Sequence, residues 1–173
     1  RLERAEARSR LGVGVDEAFV LVSLGGVAHR LDRFDLLASR PGAVFVLPGA
    51  AAEERWDGNL RLLPHHSPVH HPDLVAAADL VVGKLGYSTV AEAVAAGTRL
   101  LYVPRPGFRE SAVLERYVDA RLPARAIAWG ELESGAWVER LDALLAMSRA
   151  APRASLGAES AARSLAGLLT PPA

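Results

Sequence analysis

One segment combines the residue types that hold a phosphorylated ligand at the beginning of a helix. Residues 83–92 read G-K-L-G-Y-S-T-V-A-E, where an apolar run ends, a glycine allows a turn and a helix is predicted to begin. The first N–H groups of a helix have no partner within it and lie at the positive end of its dipole. We therefore expect the backbone donors at Ser88 and Thr89 to bind an anion.

Glu92 is predicted one helical turn beyond Ser88 and Thr89, on the same face of the helix. A carboxylate does not bind phosphate there, but it can accept hydrogen bonds from two adjacent hydroxyls, as on a ribose. The alternative is that Gly86 forms only a turn, that Ser88 or Thr89 caps the helix, and that Glu92 completes a capping box. The residues alone leave both interpretations open.

Residues 71–115 resemble the C-terminal domain of glycosyltransferases built from two facing Rossmann-like domains, the GT-B type. They are similar to the group that contains the peptidoglycan N-acetylglucosaminyltransferase and the UDP-glucuronosyltransferases. The hallmark of that group is a strand, a Gly, a Ser or Thr shortly after it, and then a Glu. The resemblance implies that the backbone from Gly86 to Thr89 holds the diphosphate of a UDP-sugar and that Glu92 holds its ribose. Residues 83–87 also resemble the transferase-like N-terminal region of plant sugar kinases of the arabinose type.

A second glycine-containing turn follows the first predicted strand. Gly25 and Gly26 stand there without a G-x-G-x-x-G pattern, so a dinucleotide fingerprint is not supported. In the resembled family a glycine-rich loop at this place approaches the diphosphate, which implies that role for both residues. The alternative is a plain turn between a strand and a helix.

Four of the five histidines stand at positions 65, 66, 70 and 71. Histidine is a common metal ligand, but Pro68 and Pro72 prevent one continuous helix from aligning the four. We expect a solvated loop and no metal site. The resemblance implies that Pro64 and His65 border the nucleobase.

The loop at residues 104–111 carries Glu110. In the resembled family an acidic or amide residue in this loop contacts the sugar hydroxyls, which implies that role for Glu110. Many relatives have an Asp-Gln-like pair where this chain has Glu110 and Ser111. Glu110 is also placed to favour the dipole of the next helix, and the two interpretations are compatible.

Strands and helices alternate along the chain. Strands are predicted at residues 19–24, 43–47, 60–63, 80–83, 100–103 and 126–129, and helices at residues 1–10, 30–39, from 72, 87–96, 111–121, 137–148 and 158–168. Near-continuous apolar strands that alternate with helices are typical of a parallel sheet covered on both faces. We predict an α/β, three-layer Rossmann-like domain with a mostly parallel sheet, one half of a GT-B architecture. Ligands of such sheets bind at the carboxyl ends of the strands.

The composition and charge argue against some classes of function. The 173 residues form one predicted domain, 1–173, and 20 basic residues balance 20 acidic ones. A zero net charge argues against a general nucleic-acid binder, which needs a basic surface. The chain has no cysteine, no apolar run of membrane-spanning length and no signal peptide, so we expect a cytoplasmic protein without a transmembrane segment.

The predicted function is that of the donor domain of a glycosyltransferase, which passes a hexose or amino sugar to an acceptor held by an N-terminal domain. We expect that domain to be missing from this chain, so that the chain binds the donor without turning it over. No cofactor or metal is required, and no convincing general base is found; His29 is the one isolated histidine. Two alternatives are a nucleotide-sugar epimerase or hydrolase of the same fold, and a non-catalytic binding domain attached to a sugar kinase.

Overall fold

The computed structural model of the chain describes residues 2–24, 33–67, 69–153 and 157–169. Within these residues seven strands form one sheet. The strands are β1 (Ala18–Ser23), β2 (Ala43–Pro48), β3 (Arg55–Asp57), β4 (Leu60–Leu63), β5 (Leu80–Lys84), β6 (Arg99–Val103) and β7 (Ala124–Ala126). The helices are α1 (Arg4–Arg10), α2 (Phe34–Ala38), α3 (His71–Ala77), α4 (Tyr87–Ala96), α5 (Ser111–Asp119), α6 (Trp129–Ser134), α7 (Leu141–Leu145) and α8 (Gly157–Leu169), with a 3₁₀ helix at Ala136–Arg140.

The strands lie in the order β3-β4-β2-β1-β5-β6-β7. Every neighbouring pair is parallel except β3 with β4. Leu21 of β1 lies opposite Val46 on one side and Val81 on the other, and Val82 lies opposite Leu101. The predicted, mostly parallel sheet is confirmed, because β2, β1, β5 and β6 are parallel neighbours.

Helices cover both faces of the sheet, so alternate residues of a central strand enter different cores. Val81 packs in a cluster with Leu74 of α3, and Val82 packs in a second cluster with Leu132 of α6. Each fully buried aliphatic side chain stabilises the fold by about 1.5–3 kcal/mol. Burial on two faces is the reason why these strands are apolar without alternation. The three-layer Rossmann-like prediction is confirmed.

The helix that carries the main motif has the predicted bounds. α4 runs from Tyr87 to Ala96 and ends at Gly97, whose φ of 65° lies in the left-handed region. A Cβ on Gly97 would lie 2.1 Å from the carbonyl oxygen of Ala150, so no other residue fits there without a shift. This is the C-terminal cap that the sequence predicts.

The edges of the sheet differ from the prediction. β3 and β4 form a hairpin around residues 58–59, with Gly58 at a φ of 60°. All three β3 residues are exposed, so the strand lacks the apolar pattern that would have predicted it. The last strand is Ala124–Ala126 and not residues 126–129, because Glu131 accepts a hydrogen bond from the N–H of Ala128 and α6 begins at Trp129.

The predicted helices at 30–39 and 137–148 are shorter in the structure, as are those at 1–10 and 111–121, which cover Arg4–Arg10 and Ser111–Asp119. The segment at 137–148 begins as the 3₁₀ helix and continues as α7, after Gly135 ends α6 at a φ of 73°. α2 covers Phe34–Ala38, and residues 30–32 of the predicted 30–39 segment lie outside the described residues. In the part of the chain that is described, no helix is both long and apolar enough to cross a membrane.

Candidate functional site

The carboxyl ends of the parallel strands lie at one edge of the sheet, and the predicted site residues follow them. β4 is followed by Pro64 and His65, β5 by Gly86 and the start of α4, and β6 by the loop that leads to Glu110. The glycine pair at 25–26, which follows β1, lies outside the described residues. The topology therefore brings the described loops to the edge where α/β domains bind ligands.

The start of α4 offers backbone donors. Gly86 is the N-cap, and within the described residues no side chain makes a capping hydrogen bond there. The N–H of Val90 donates to the carbonyl of Gly86 at 3.0 Å, so the N–H groups of Tyr87, Ser88 and Thr89 precede the first helical bond. Ser88 is exposed and Thr89 is half-buried. This end of the helix can therefore donate to an anion.

Two glycines, Gly83 and Gly86, flank the turn before α4, and the packing around them differs. A Cβ on Gly83 would lie 2.1 Å from the carbonyl oxygen of Ser23, so the pairing of β1 with β5 requires glycine. A Cβ on Gly86 would meet no described atom within 4 Å, and its φ of −144° suits any residue. The fold therefore does not require Gly86, whose small size leaves space beside the helix start.

Glu92 is held by a histidine that the sequence analysis did not connect with it. Oε2 of Glu92 lies 2.7 Å from Nδ1 of His71, and Nε2 of the same ring lies 3.0 Å from Oγ of Ser23. The side chains of Glu92 and His71 are 20% and 36% exposed. No local sequence pattern predicts this contact, because the three residues belong to three separate elements, α4, α3 and β1.

The alternative role of Glu92 as part of a capping box does not hold. The N-cap is Gly86, which has no side chain, and the third helical residue is Thr89. Glu92 lies a full turn beyond that position, and its carboxylate contacts His71. Its place on α4 thus has no capping function.

Lys84 adds a positive charge next to this turn. It is the last residue of β5, and its side chain is partly buried. Burial lowers the pKa of Lys84, and the nearby charge of Arg105 lowers it further. Lys84 is not among the site residues predicted from the sequence, although phosphate-binding loops use a lysine between a strand and a helix.

Glu110 occupies the N-cap of α5. The loop before it is closed by Ser111, whose Oγ accepts the N–H of Arg105 at 3.0 Å and donates to Glu115 at 3.2 Å. Glu110 itself is half-buried and lies at the positive end of the helix dipole. This position agrees with the dipole interpretation, and the loop that carries Glu110 follows β6 at the carboxyl edge of the sheet.

The histidine run is divided between different surroundings. His65 is exposed after β4 and its ring lies 5.4 Å from that of His66. His71 begins α3 and contacts Ser23 and Glu92. Among the described residues, no three His, Asp or Glu side chains are placed to share a metal ion.

Comparison with known proteins gives one family and one curated relative. The family model of the glycosyltransferase family 28 C-terminal domain matches residues 65–167, more than half of the chain. The L-arabinokinase of Arabidopsis thaliana is 27% identical over 143 residues, which are 80% of this chain and 13% of that protein. The chain thus spans a small part of this relative.

Solved structures share the fold. The glycotransferase of kitacinnamycin has a TM-score of 0.60 at 18% identity, over 88% of this chain and 38% of that one. The calicheamicin glycosyltransferase CalG4 has a TM-score of 0.56 at 23% identity, over 78% and 35%. Arabidopsis thaliana UGT89C1, solved with UDP, has a TM-score of 0.50 at 15% identity, over 83% and 40%. The chain therefore has the Rossmann-like fold of GT-B domains and spans less than half of each of these proteins.

Proposed function

This chain belongs to the glycosyltransferase family 28 C-terminal domain family, and from that premise we propose that it binds a nucleoside-diphosphate sugar as the donor for glycosyl transfer. The observation that carries the proposal is the uncapped start of α4 at the carboxyl edge of the sheet, with Glu92 one turn farther along. Backbone donors followed by a carboxylate at this spacing match a diphosphate joined to a ribose.

The diphosphate would lie against the first turn of α4. The N–H groups of Tyr87, Ser88 and Thr89 supply donors, and the space beside Gly86 permits close approach of the phosphates. Lys84 supplies a positive charge from the end of β5. Fixed donors and a cation of this kind stabilise a departing diphosphate during transfer, so the proposal needs no metal ion.

The ribose hydroxyls would donate to Glu92. A carboxylate has about four lone-pair positions, of which the contact with His71 occupies one. The remaining positions suffice for two adjacent hydroxyls. UDP is the nucleotide that we propose, in line with the family resemblance.

The other parts of the sugar nucleotide would contact the neighbouring loops. We place Gly25 and Gly26 near the diphosphate, Pro64 and His65 beside the nucleobase, and Glu110 near the sugar hydroxyls. The last three follow β4 and β6 at the same edge as α4. The acceptor would be bound by a further domain, as in the two-domain transferases, and the donor sugar would be a hexose or amino sugar.

The similarity to L-arabinokinase favours a second candidate. That relative is a much longer protein, of which this chain matches 13%. The same nucleotide-sugar site would then serve as a binding module beside a sugar kinase, without transfer. Both candidates require the site at α4, so a binding experiment tests what they share.

Replacement of Glu92 tests the proposed site. We expect Glu92→Gln to weaken the binding of UDP by about 10- to 100-fold, because it removes charge-assisted hydrogen bonds of about 1.5–3 kcal/mol. The variant should also lose most of the preference for UDP over 2′-deoxy-UDP. Isothermal titration calorimetry of the parent chain and the variant measures both effects.

The matched control is Glu133→Gln, which neutralises an exposed carboxylate on α6. It should leave both affinities unchanged. If Glu92→Gln binds UDP as the parent does, or if the parent binds neither nucleotide, the proposed site is wrong.

A further inference from the structure

We propose that His71 is a positioning residue that holds the Glu92 carboxylate in place for the ribose, with Ser23 setting the orientation of the imidazole ring. The inference rests on the proposed function, because it deepens the role given there to Glu92. It starts from an unbroken row of polar atoms, with 3.0 Å from Ser23 Oγ to His71 Nε2 and 2.7 Å from His71 Nδ1 to Glu92 Oε2.

The hydrogen bonds have one consistent direction when the ring is neutral. An ionised carboxylate only accepts, so the proton between His71 and Glu92 belongs to Nδ1. Nε2 of a neutral ring then has to accept, and the Ser23 hydroxyl donates to it. The Glu92 carboxylate thereby selects the tautomer with the proton on Nδ1, and the Ser23 hydroxyl, which can donate or accept, donates to Nε2 and orients the ring.

The three residues belong to different elements that meet beside the proposed site. Ser23 ends β1, where it lies opposite Gly83 of β5 and is 8% exposed. His71 is the first residue of α3, and Glu92 lies on α4, which packs against α3. The carboxylate is therefore fixed to the sheet through the imidazole ring and not only to its own helix.

Fixing Glu92 before the ligand arrives should raise its affinity for ribose. A free glutamate side chain has several rotamers, and ordering it on binding reduces affinity. With Oε2 held by His71, the carboxylate presents its remaining lone pairs in one orientation. The His71 contact thus leaves the acceptor positions that the ribose needs.

Two substitutions of His71 separate positioning from packing. Asparagine places its amide nitrogen where Nδ1 stands, so His71→Asn keeps a donor for Glu92. Glutamine places its amide group where Nε2 stands, so His71→Gln keeps a partner for Ser23 and loses the donor to Glu92. Binding of UDP and 2′-deoxy-UDP to the 173-residue chain is measured by calorimetry for the parent, both variants and Glu92→Gln.

We expect His71→Gln to reduce the ribose preference by about 3- to 10-fold, which is the effect of freeing one long side chain. His71→Asn should retain most of the preference. If His71→Gln keeps the parent's preference while Glu92→Gln loses it, the positioning role is wrong and the proposed function stands. If the parent binds no UDP, the proposed function and this inference both fail.

Ser23→Ala completes the test, since it removes the donor to Nε2 without touching Glu92. We expect a smaller loss of ribose preference, of about 2-fold.

A two-bond ¹⁵N–¹H correlation spectrum of the ligand-free parent should show the His71 proton on Nδ1. A proton found on Nε2 alone would overturn the positioning role of His71, whatever the nucleotide affinity. Thermal unfolding curves that match the parent's would confirm that the variants are folded.

Discussion

Asp79 lies among several arginine side chains at the edge of the sheet opposite the proposed site. Its carboxylate accepts hydrogen bonds from Arg4 at 2.5 Å, from Arg8 at 3.0 Å and from the N–H of Phe19 at 2.8 Å. Burial by itself raises the pKa of Asp79, but the Phe19 hydrogen bond and the charges of Arg4 and Arg8 outweigh it. The pKa therefore lies below the usual value, and α1 is attached to the sheet through this carboxylate.

Asp79 carries one negative charge, whereas several positively charged arginines surround it. Arg99 donates to the carbonyl of Asp79, and Arg149 donates to that of Ala78. Burial, and after it the charge of Arg4, lowers the pKa of Arg149 to about 10. The carboxylate is therefore needed to offset the repulsion among these cations.

We expect Asp79→Asn to lower the free energy of unfolding by about 2–4 kcal/mol at neutral pH, because partly buried arginines lose their counter-charge. Since the folded pKa lies below the unfolded value of 3.8, this stabilisation is present at neutral pH and is lost as the pH falls through the folded pKa. Urea unfolding of parent and variant at pH 7 and about pH 3 should show a gap that narrows in acid. A gap of equal size at both pH values would contradict this account.

At the scale of elements, the junction of β1, β5 and α4 decides both the fold and the site. Ser23 pairs with Gly83 in the sheet and contacts His71 through its side chain. Gly86 follows Gly83 after two intervening residues and opens α4. Two glycines at nearly the same place are thus predicted to respond differently to substitution.

Gly83→Ala should be strongly destabilising. Its Cβ would lie 2.1 Å from the carbonyl oxygen of Ser23, which is backbone and cannot turn aside. We expect a loss of more than about 3 kcal/mol in the free energy of unfolding, since two central strands have to separate. Thermal unfolding followed by circular dichroism measures it, and an unchanged midpoint would show that the strands accommodate the methyl group.

Gly86→Ala is the matched variant, and it should leave the unfolding midpoint nearly unchanged. A Cβ there meets no described atom within 4 Å, and the backbone is extended. If phosphates approach this residue as proposed, the methyl group should weaken UDP binding by about 10-fold or more, through lost close contacts. Normal UDP affinity in this variant would place the diphosphate elsewhere.

Across the molecule as a whole, the two cores share the sheet, and the described side chains of α8 belong to neither core. All residues of α8 from Gly157 to Leu168 are exposed, with Leu165 at 61% and Leu168 at 82%. The preceding segment is attached, since the N–H of Arg153 donates to the carbonyl of Ala95 at 3.1 Å. Residues 157–168 therefore add no buried side chain to the described cores.

A chain that ends at Arg153 should retain the stability of the parent. Residues 157–168 are exposed, and removing exposed side chains costs little, so we expect the melting temperature to change by less than about 2 °C. UDP affinity should also persist, because the proposed site lies at the carboxyl edge of the sheet. Differential scanning calorimetry tests this, and a fall of more than about 5 °C would show that α8 contributes to the fold.

The central sheet and the bounds of α4 could be predicted from the sequence alone. Apolar runs such as β5 predict strands buried on both faces, and the turn at Gly86 with the cap at Gly97 marks the two ends of one helix. These features were predictable because each depends on residues close together in the chain. The short, exposed β3 carries no such pattern and was not predicted.

The contacts of Glu92 could not be predicted from the sequence, because they depend on the folded arrangement of the chain. Its partner His71 stands 21 residues away, and Ser23 stands a further 48 residues from His71. Their meeting depends on the strand order, in which β1 lies between β2 and β5, and on α3 packing against α4. Contacts between such distant residues follow from the packing of whole elements, which no local spacing in the sequence encodes.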